Sequence, residues 1–223
     1  PLLCQEFACC LVDEEGVITL YRFKKIIFAM CICIMCSLCV GCESRSDIED
    51  MDYVFVMGID YKEDMYTFTY AIADIAGFSG DVGKSIGSKT WEESGKDFID
   101  INLLYKQENY REVDYGHVST LIVSKNLIDD KKKYETIIKE LYDNQSISKN
   151  TKIYMAETPA DILAYDDEET DTLDKVLDDY SRTTGKHTAD LSDMMKVILK
   201  SKKEVDINKV EIADNNITIT TGQ

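Results

Sequence analysis

Three kinds of side chain in this 223-residue chain could do chemistry: eight cysteines, two histidines and one dense run of carboxylates. His117 follows Asp114 by three residues and precedes Ser119 by two, which supplies the residue types of a nucleophile, a base and an orienting carboxylate. A triad works by convergence in space beside an oxyanion hole, and closeness in sequence does not provide that. The chain has no G-x-S-x-G turn and no cysteine after position 42. His117 therefore reads as a hydrogen-bonded structural residue at the entrance to a strand, and the protein as a non-enzyme. Asp166, Asp167, Glu168, Glu169 and Asp171 place five carboxylates in six positions. They lack the interspersed ligands and the glycine of a calcium loop, so they read as a solvated acidic loop. No metal and no cofactor are expected.

The cysteines need another explanation. Cys4, Cys9, Cys10, Cys31, Cys33, Cys36, Cys39 and Cys42 all lie at or before position 42, and neither histidine is near any of them. A disulfide scaffold would spread cysteines through the folded part, and a zinc site would pair them at ligand spacing. Arg22, Lys24 and Lys25 instead precede an uncharged run over 26–41. As a helix that run reaches about 24 Å, short of the ~30 Å hydrocarbon core of a bilayer. A short apolar run behind a basic cluster has the shape of a signal peptide.

The run ends Leu38-Cys39-Val40-Gly41-Cys42, which resembles a bacterial lipobox. The resemblance implies cleavage of a signal peptide spanning 21–41 and a diacylglycerol thioether on Cys42. Two acyl chains give the stable anchoring that one chain does not. Residues 1–20 contain no methionine, Met30 being the first. They read as upstream read-through or an extension, with a non-AUG start near 17–20.

Charge narrows the partners. The chain carries 42 acidic and 25 basic residues, a net −17, and only four of the acidic and three of the basic ones precede Cys42. A surface this acidic repels phosphate backbones and anionic headgroups, so nucleic acid is excluded as a partner.

Positioning falls to a single α/β (α+β) domain over 53–221, reached through a polar tether at 42–52. YVFVMGID (53–60) reads as a buried strand, and MYTFTYAIAD (65–74) alternates as an antiparallel strand covered on one side. Gly77, Gly80, Gly83 and Gly87 mark a loop before a third strand at SKTWEE. Phe98, Ile101, Leu104 and Tyr105 share a helical face, and HVSTLIVS (117–124) is a strand. Tyr134, Ile137, Ile138, Leu141 and Tyr142 form an amphipathic stripe, TKIYMAE (151–157) a strand, and Pro159 opens a short helix. Two more helices follow, through Leu173, Val176, Leu177 and Tyr180 and through Leu191, Met194, Met195, Ile198 and Leu199. KVEIADNNITITT closes the domain as a hairpin turning at 214–216. The expected order is β-β-β-α-β-α-β-α-α-α-β-β, a mixed sheet with helices packed on it.

Four stretches together resemble the N-terminal domain of the Ger(x)C family, the lipoprotein C subunits of spore germinant receptors. They are Cys42-Glu43-Ser44-Arg45 leading into YVFVMGID, DYGHVSTLIVS, NTKIYMAETPADIL and the VEIADNNITIT hairpin. The resemblance implies a lipid-anchored, non-enzymatic receptor subunit on the outer face of the inner spore membrane, working with membrane-embedded A and B subunits in nutrient-triggered germination. It also implies that a C-terminal domain of the family is absent from this sequence. Two other readings stay open: a substrate-binding lipoprotein of a transporter, which needs two lobes and a cleft, and a cell-envelope enzyme, which needs a convergent catalytic set.

Overall fold

The computed structural model describes residues 26–32, 51–73, 88–165, 173–184, 187–213 and 216–221. Cys42, most of the signal segment, the glycine loop, the acidic run at 166–171 and the Asp214-Asn215 turn lie outside the described residues. The chain divides into two units, Pro1–Ser46 and Asp47–Gln223. In the first, residues 26–32 are helical, with Ile26, Ile27, Phe28, Met30 and Ile32 exposed. No helix among the described residues is long and apolar enough to cross a membrane.

The second unit is built around one mixed eight-stranded sheet. β1 (Met51–Lys62), β2 (Met65–Ala73) and β3 (Ser88–Gly95) form an antiparallel meander. Its first turn pairs Lys62 with Met65 and holds Glu63 and Asp64 at φ 51° and 62°, the backbone of a type I′ hairpin. α1 (Phe98–Asn109) starts where the Asp97 carboxylate accepts from Asp100 N at 2.8 Å, and ends at Tyr110, left-handed at φ 55°. β4 (Glu112–Asp114) pairs in parallel with the first residues of β1.

β5 (Thr120–Ser124), β6 (Lys152–Ala156) and β7 (Asn208–Ala213) then add in parallel beside β1. Their crossovers carry α2 (Lys125–Asp129), α3 (Lys131–Asp143), α4 (Pro159–Leu163), α5 (Leu173–Thr184) and α6 (Leu191–Ile198). β8 (Asn216–Thr220) returns antiparallel on β7, giving the order β3-β2-β1-β5-β6-β7-β8 with β4 beside β1.

β1, β5 and β6 are buried on both faces, which is why those segments are near-continuous apolar runs. One core gathers Phe68, Tyr70, Leu121, Val123 and Ile153 of the sheet with Ile101 and Tyr105 of α1 and Ile137, Ile138 and Leu141 of α3. The opposite core joins Val56, Ala71, Ile122, Tyr154 and Val210 to Ile162, Leu163 and Leu177 of α4 and α5.

Four expectations need revision. β2 is covered on both sides: Thr69 and Ala71 are buried because α4 crosses the face that alternation assigned to solvent. β1 begins at Met51, inside the segment read as tether, because β4 pairs with its first residues. The strand expected from His117 starts at Thr120. β4 and α2, three and five residues long, have too few positions to show a period and were not anticipated.

Candidate functional site

In sheets of this kind ligands bind outside the carboxyl ends of the strands, where the chain order reverses. The reversal here lies between β1, which leads outward to β2 and β3, and β5, which leads the other way to β6 and β7. Asp60 and Ser124 stand at the two strand ends there. Asp60 is buried; its Oδ2 lies 2.6 Å from Lys62 Nζ, and its Oδ1 accepts from Tyr61 N at 2.8 Å. Burial alone would raise its carboxyl, but hydrogen bonds from Lys62, Ser124 and the Tyr61 amide outweigh that and hold it below the ordinary range. Ser124 Oγ also caps α2, accepting from Leu127 N at 3.0 Å. These polar groups satisfy one another, and α4 lies against β1 beside them at Gly58.

His117, Asp114 and Ser119 do not assemble into a triad. His117 Nδ1 is 4.0 Å from Asp114 Oδ2, too long for a hydrogen bond. Its ring stands edge-on to Tyr53 and Phe55, with centroids 5.3 and 6.1 Å away. Asp114 Oδ1 accepts from Gly116 N at 2.6 Å, and Ser119 Oγ donates to the Phe55 carbonyl at 3.3 Å. The expectation of a hydrogen-bonded histidine is therefore corrected: aromatic rings, not polar partners, hold His117.

The other histidine belongs to a constellation that sequence reasoning missed. Asp193 is buried on α6, where its Oδ2 meets His187 Nε2 at 2.8 Å, and its Oδ1 accepts from Lys202 and Lys196 at 3.1 and 3.2 Å. Burial opposes ionisation, yet the hydrogen bonds from Lys202, His187 and Lys196 prevail and bring the carboxyl down to about 2. The Asp193–Lys196 spacing of three was the one signal in the sequence. Lys202 and His187 reach Asp193 only through the fold. The cluster ties both ends of α6 to their connections.

A cleft of about 540 Å³ lies between α5 and the amino ends of β5 and β6. Ser119, Thr120, Lys152, Tyr154, Leu177 and Arg182 line it. Tyr154 Oη already donates to the Leu177 carbonyl at 3.0 Å, and Arg182 sits 3.9 Å from both Asp178 and Asp179. The cleft opens at the strand ends opposite those where α/β ligand sites form.

The start of β1 is clamped. Asp52 accepts from Tyr105 Oη at 2.5 Å and from Arg111 at 2.6 Å. Burial, reinforced by the hydrogen bond to Asp52, pushes the Tyr105 phenol well above its ordinary value. Next to it, Tyr70 and Tyr115 share a hydrogen bond of 3.0 Å, and Tyr115 donates to Asn102. The chain thus enters the fold through a rigid aromatic and ionic anchor. Among the described residues no group of three His, Cys, Asp or Glu side chains is placed to hold a metal.

Comparison with known proteins adds three findings. The family model described as spore germination protein N-terminal domain matches residues 44–212. YfkR of Bacillus subtilis (strain 168), which is named as a spore germination protein, is 29% identical over 103 residues, covering 44% of this chain and 27% of that protein. No solved structure matches the chain.

Proposed function

Because the chain belongs to the spore germination protein N-terminal domain family, we propose that it is a lipid-anchored, non-enzymatic subunit of a spore germinant receptor. In this reading Cys42 carries a diacylglycerol group, and the folded unit stands on the outer face of the inner spore membrane. Its partners are the membrane-embedded A and B subunits, with which it takes part in nutrient-triggered germination.

The observation that carries the proposal is the family match itself, which begins two residues after Cys42 and ends within β7. Two features support it. The clamp on Asp52 gives an anchored chain a fixed point of entry into the domain. Asp60, Lys62 and Ser124, at the carboxyl ends of β1 and β5, are partnered with one another, which suits an assembly component better than an enzyme.

The test is made in the spore-forming host. Deleting the gene should delay or abolish the germination response to at least one nutrient, and normal germination to every nutrient would reject the function. Affinity capture of the tagged chain from spore membranes should recover polytopic membrane proteins. Cys42→Ala should release the protein from the membrane fraction, and mass spectrometry should find the acylated cysteine at the mature amino terminus. An intact, unmodified chain through position 42 would reject the anchor while leaving the family assignment untouched.

A further inference from the structure

α1 is apolar on two opposite faces. Phe98, Ile101 and Tyr105 are buried in the core, while Ile99 is 71% exposed, Leu103 55% and Tyr110 89%. At about 100° per residue, positions 99, 103, 106 and 110 fall on one stripe roughly 60° wide, turned away from the buried face. A helix on a domain surface ordinarily presents its polar side outwards, and one that is apolar all round is covered.

The stripe stands where the chain enters the fold. Arg111, next to Tyr110, and Tyr105 both hold Asp52, the second residue of β1. α1 packs on β3 and β4, whereas β8, the last strand, forms the opposite edge of the sheet from β3. Nine residue steps separate Cys42 from Met51, a span of at most about 32 Å when fully extended. The other exposed apolar side chains of this unit are placed differently. Met65 pairs with Lys62, roughly 36 Å along β1 from Met51, and the registers of β5, β6 and β7 put Ile212 at that same end. With β1 upright on either of them, the chain entry would stand at the limit of the tether. Leu199 is the single exposed apolar residue of its turn.

We propose that Ile99, Leu103 and Tyr110 form a bilayer-contacting stripe, seated in the headgroup layer of the membrane that carries the anchor. This rests on the reading of Cys42 as the acylated residue. The short tether selects a lipid surface as the occupant: it keeps the clamped entry, and the helix beside it, close to the bilayer at all times. Three side chains bind a bilayer weakly by themselves, but a tether turns the contact into an intramolecular one with a high effective concentration. Tyrosine suits the boundary between headgroups and acyl chains. Lys106, in the same stripe, has its Nζ 2.5 Å from Glu112, and its long stem lets that ion pair stay at headgroup level.

The test is hydroxyl-radical footprinting of the acylated full chain, taken from the host and placed on phosphatidylcholine vesicles, whose headgroups do not repel a chain of net −17. The full chain with Cys42→Ala, free of vesicles, is the reference, and Met65, Leu199 and Ile212 are internal controls. Oxidation of Ile99, Leu103 and Tyr110 should fall severalfold on the vesicles while the controls stay unchanged. Ile99→Glu and Leu103→Glu, each at an exposed position, should each return Tyr110 to its reference oxidation, with the acyl group and the circular dichroism spectrum retained. The inference is overturned if the three residues are oxidised as readily on vesicles as off them while mass spectrometry shows Cys42 acylated. It is overturned if protection persists undiminished in both variants. It is equally overturned if protection occurs in spore membranes but not on vesicles, which would give the stripe to a membrane protein. An unacylated Cys42 removes the reading beneath the inference, and the mass spectrum reports that separately from the footprint.

Discussion

A Cβ built on Gly58 would lie 3.0 Å from Cβ of Pro159 and 3.3 Å from a methyl of Leu163, so β1 and α4 meet backbone to ring with no room for a side chain between them. That contact gives the Gly-Ile-Asp ending of β1 a physical meaning. Gly58 admits α4, Ile59 fills the opposite core, and Asp60 closes the strand with Lys62 and Ser124. Gly58→Ala should cost about 1–3 kcal/mol, because proline at the head of a helix yields little to an intruding methyl. Urea denaturation would measure it, and an unchanged midpoint would show that α4 rides on β1 loosely.

Asp193 makes a pH-dependent contribution whose sign follows from its lowered carboxyl. A depressed folded-state value of about 2 against 3.8 for the free group means the stabilisation is fully present above about pH 4. It fades as pH falls through about 2. The displacement corresponds to roughly 2 kcal/mol, reduced by screening because His187, Lys196 and Lys202 are themselves well exposed. Asp193→Asn should lower the denaturation midpoint at neutral pH, with the gap from wild type narrowing in acid and in high salt. A gap that is constant with pH would mean that the carboxylate's charge is not what matters.

Tyr134 and Tyr66 predict opposite responses to the same change. Tyr134 Oη is buried without a hydrogen-bond partner among the described residues, and burial pushes its phenol well above the ordinary value. Tyr66 Oη donates to the Lys133 carbonyl at 3.0 Å, and burial raises its phenol to about 12. Tyr134→Phe should be neutral or stabilising by up to about 1 kcal/mol, whereas Tyr66→Phe should cost about 1 kcal/mol. Thermal unfolding of the two variants side by side checks the order, and a reversed order would overturn both assignments.

The β1–β2 turn carries removable strain. Type I′ geometry favours asparagine and glycine, yet Glu63 and Asp64 occupy the two positive-φ positions. Asp64 has a compensating role, since its Oδ1 accepts from Tyr61 Oη at 2.9 Å. Glu63 has the less suitable side chain for that backbone. Glu63→Asn should therefore stabilise the fold by about 0.5–1 kcal/mol, read as a raised melting temperature, while Asp64→Gly should gain less because it gives up the tyrosine bond. Destabilisation by Glu63→Asn would mean that the glutamate makes a contact outweighing its strain.

The sequence by itself determined the class of the fold, most of its elements and the family. Continuous apolar runs at β1, β5 and β6 could only be strands buried on both faces, and the structure places those three side by side in the middle of the sheet. The helical stripes through Ile101 and Tyr105 and through Ile137, Ile138 and Leu141 are the faces that cover them. Such features are local, set by a period of two or of 3.6, and need no knowledge of distant residues. Tertiary structure decided what no period encodes. The polar alternate face of β2 became interior when α4, some ninety residues on, was laid across it. His187 and Lys202 were brought to Asp193 from either side of α6, and His117 was turned towards Tyr53 and Phe55 instead of Ser119. In each case the deciding partner is distant in sequence or reached only by a change of chain direction, and side-chain chemistry alone does not say which groups will meet.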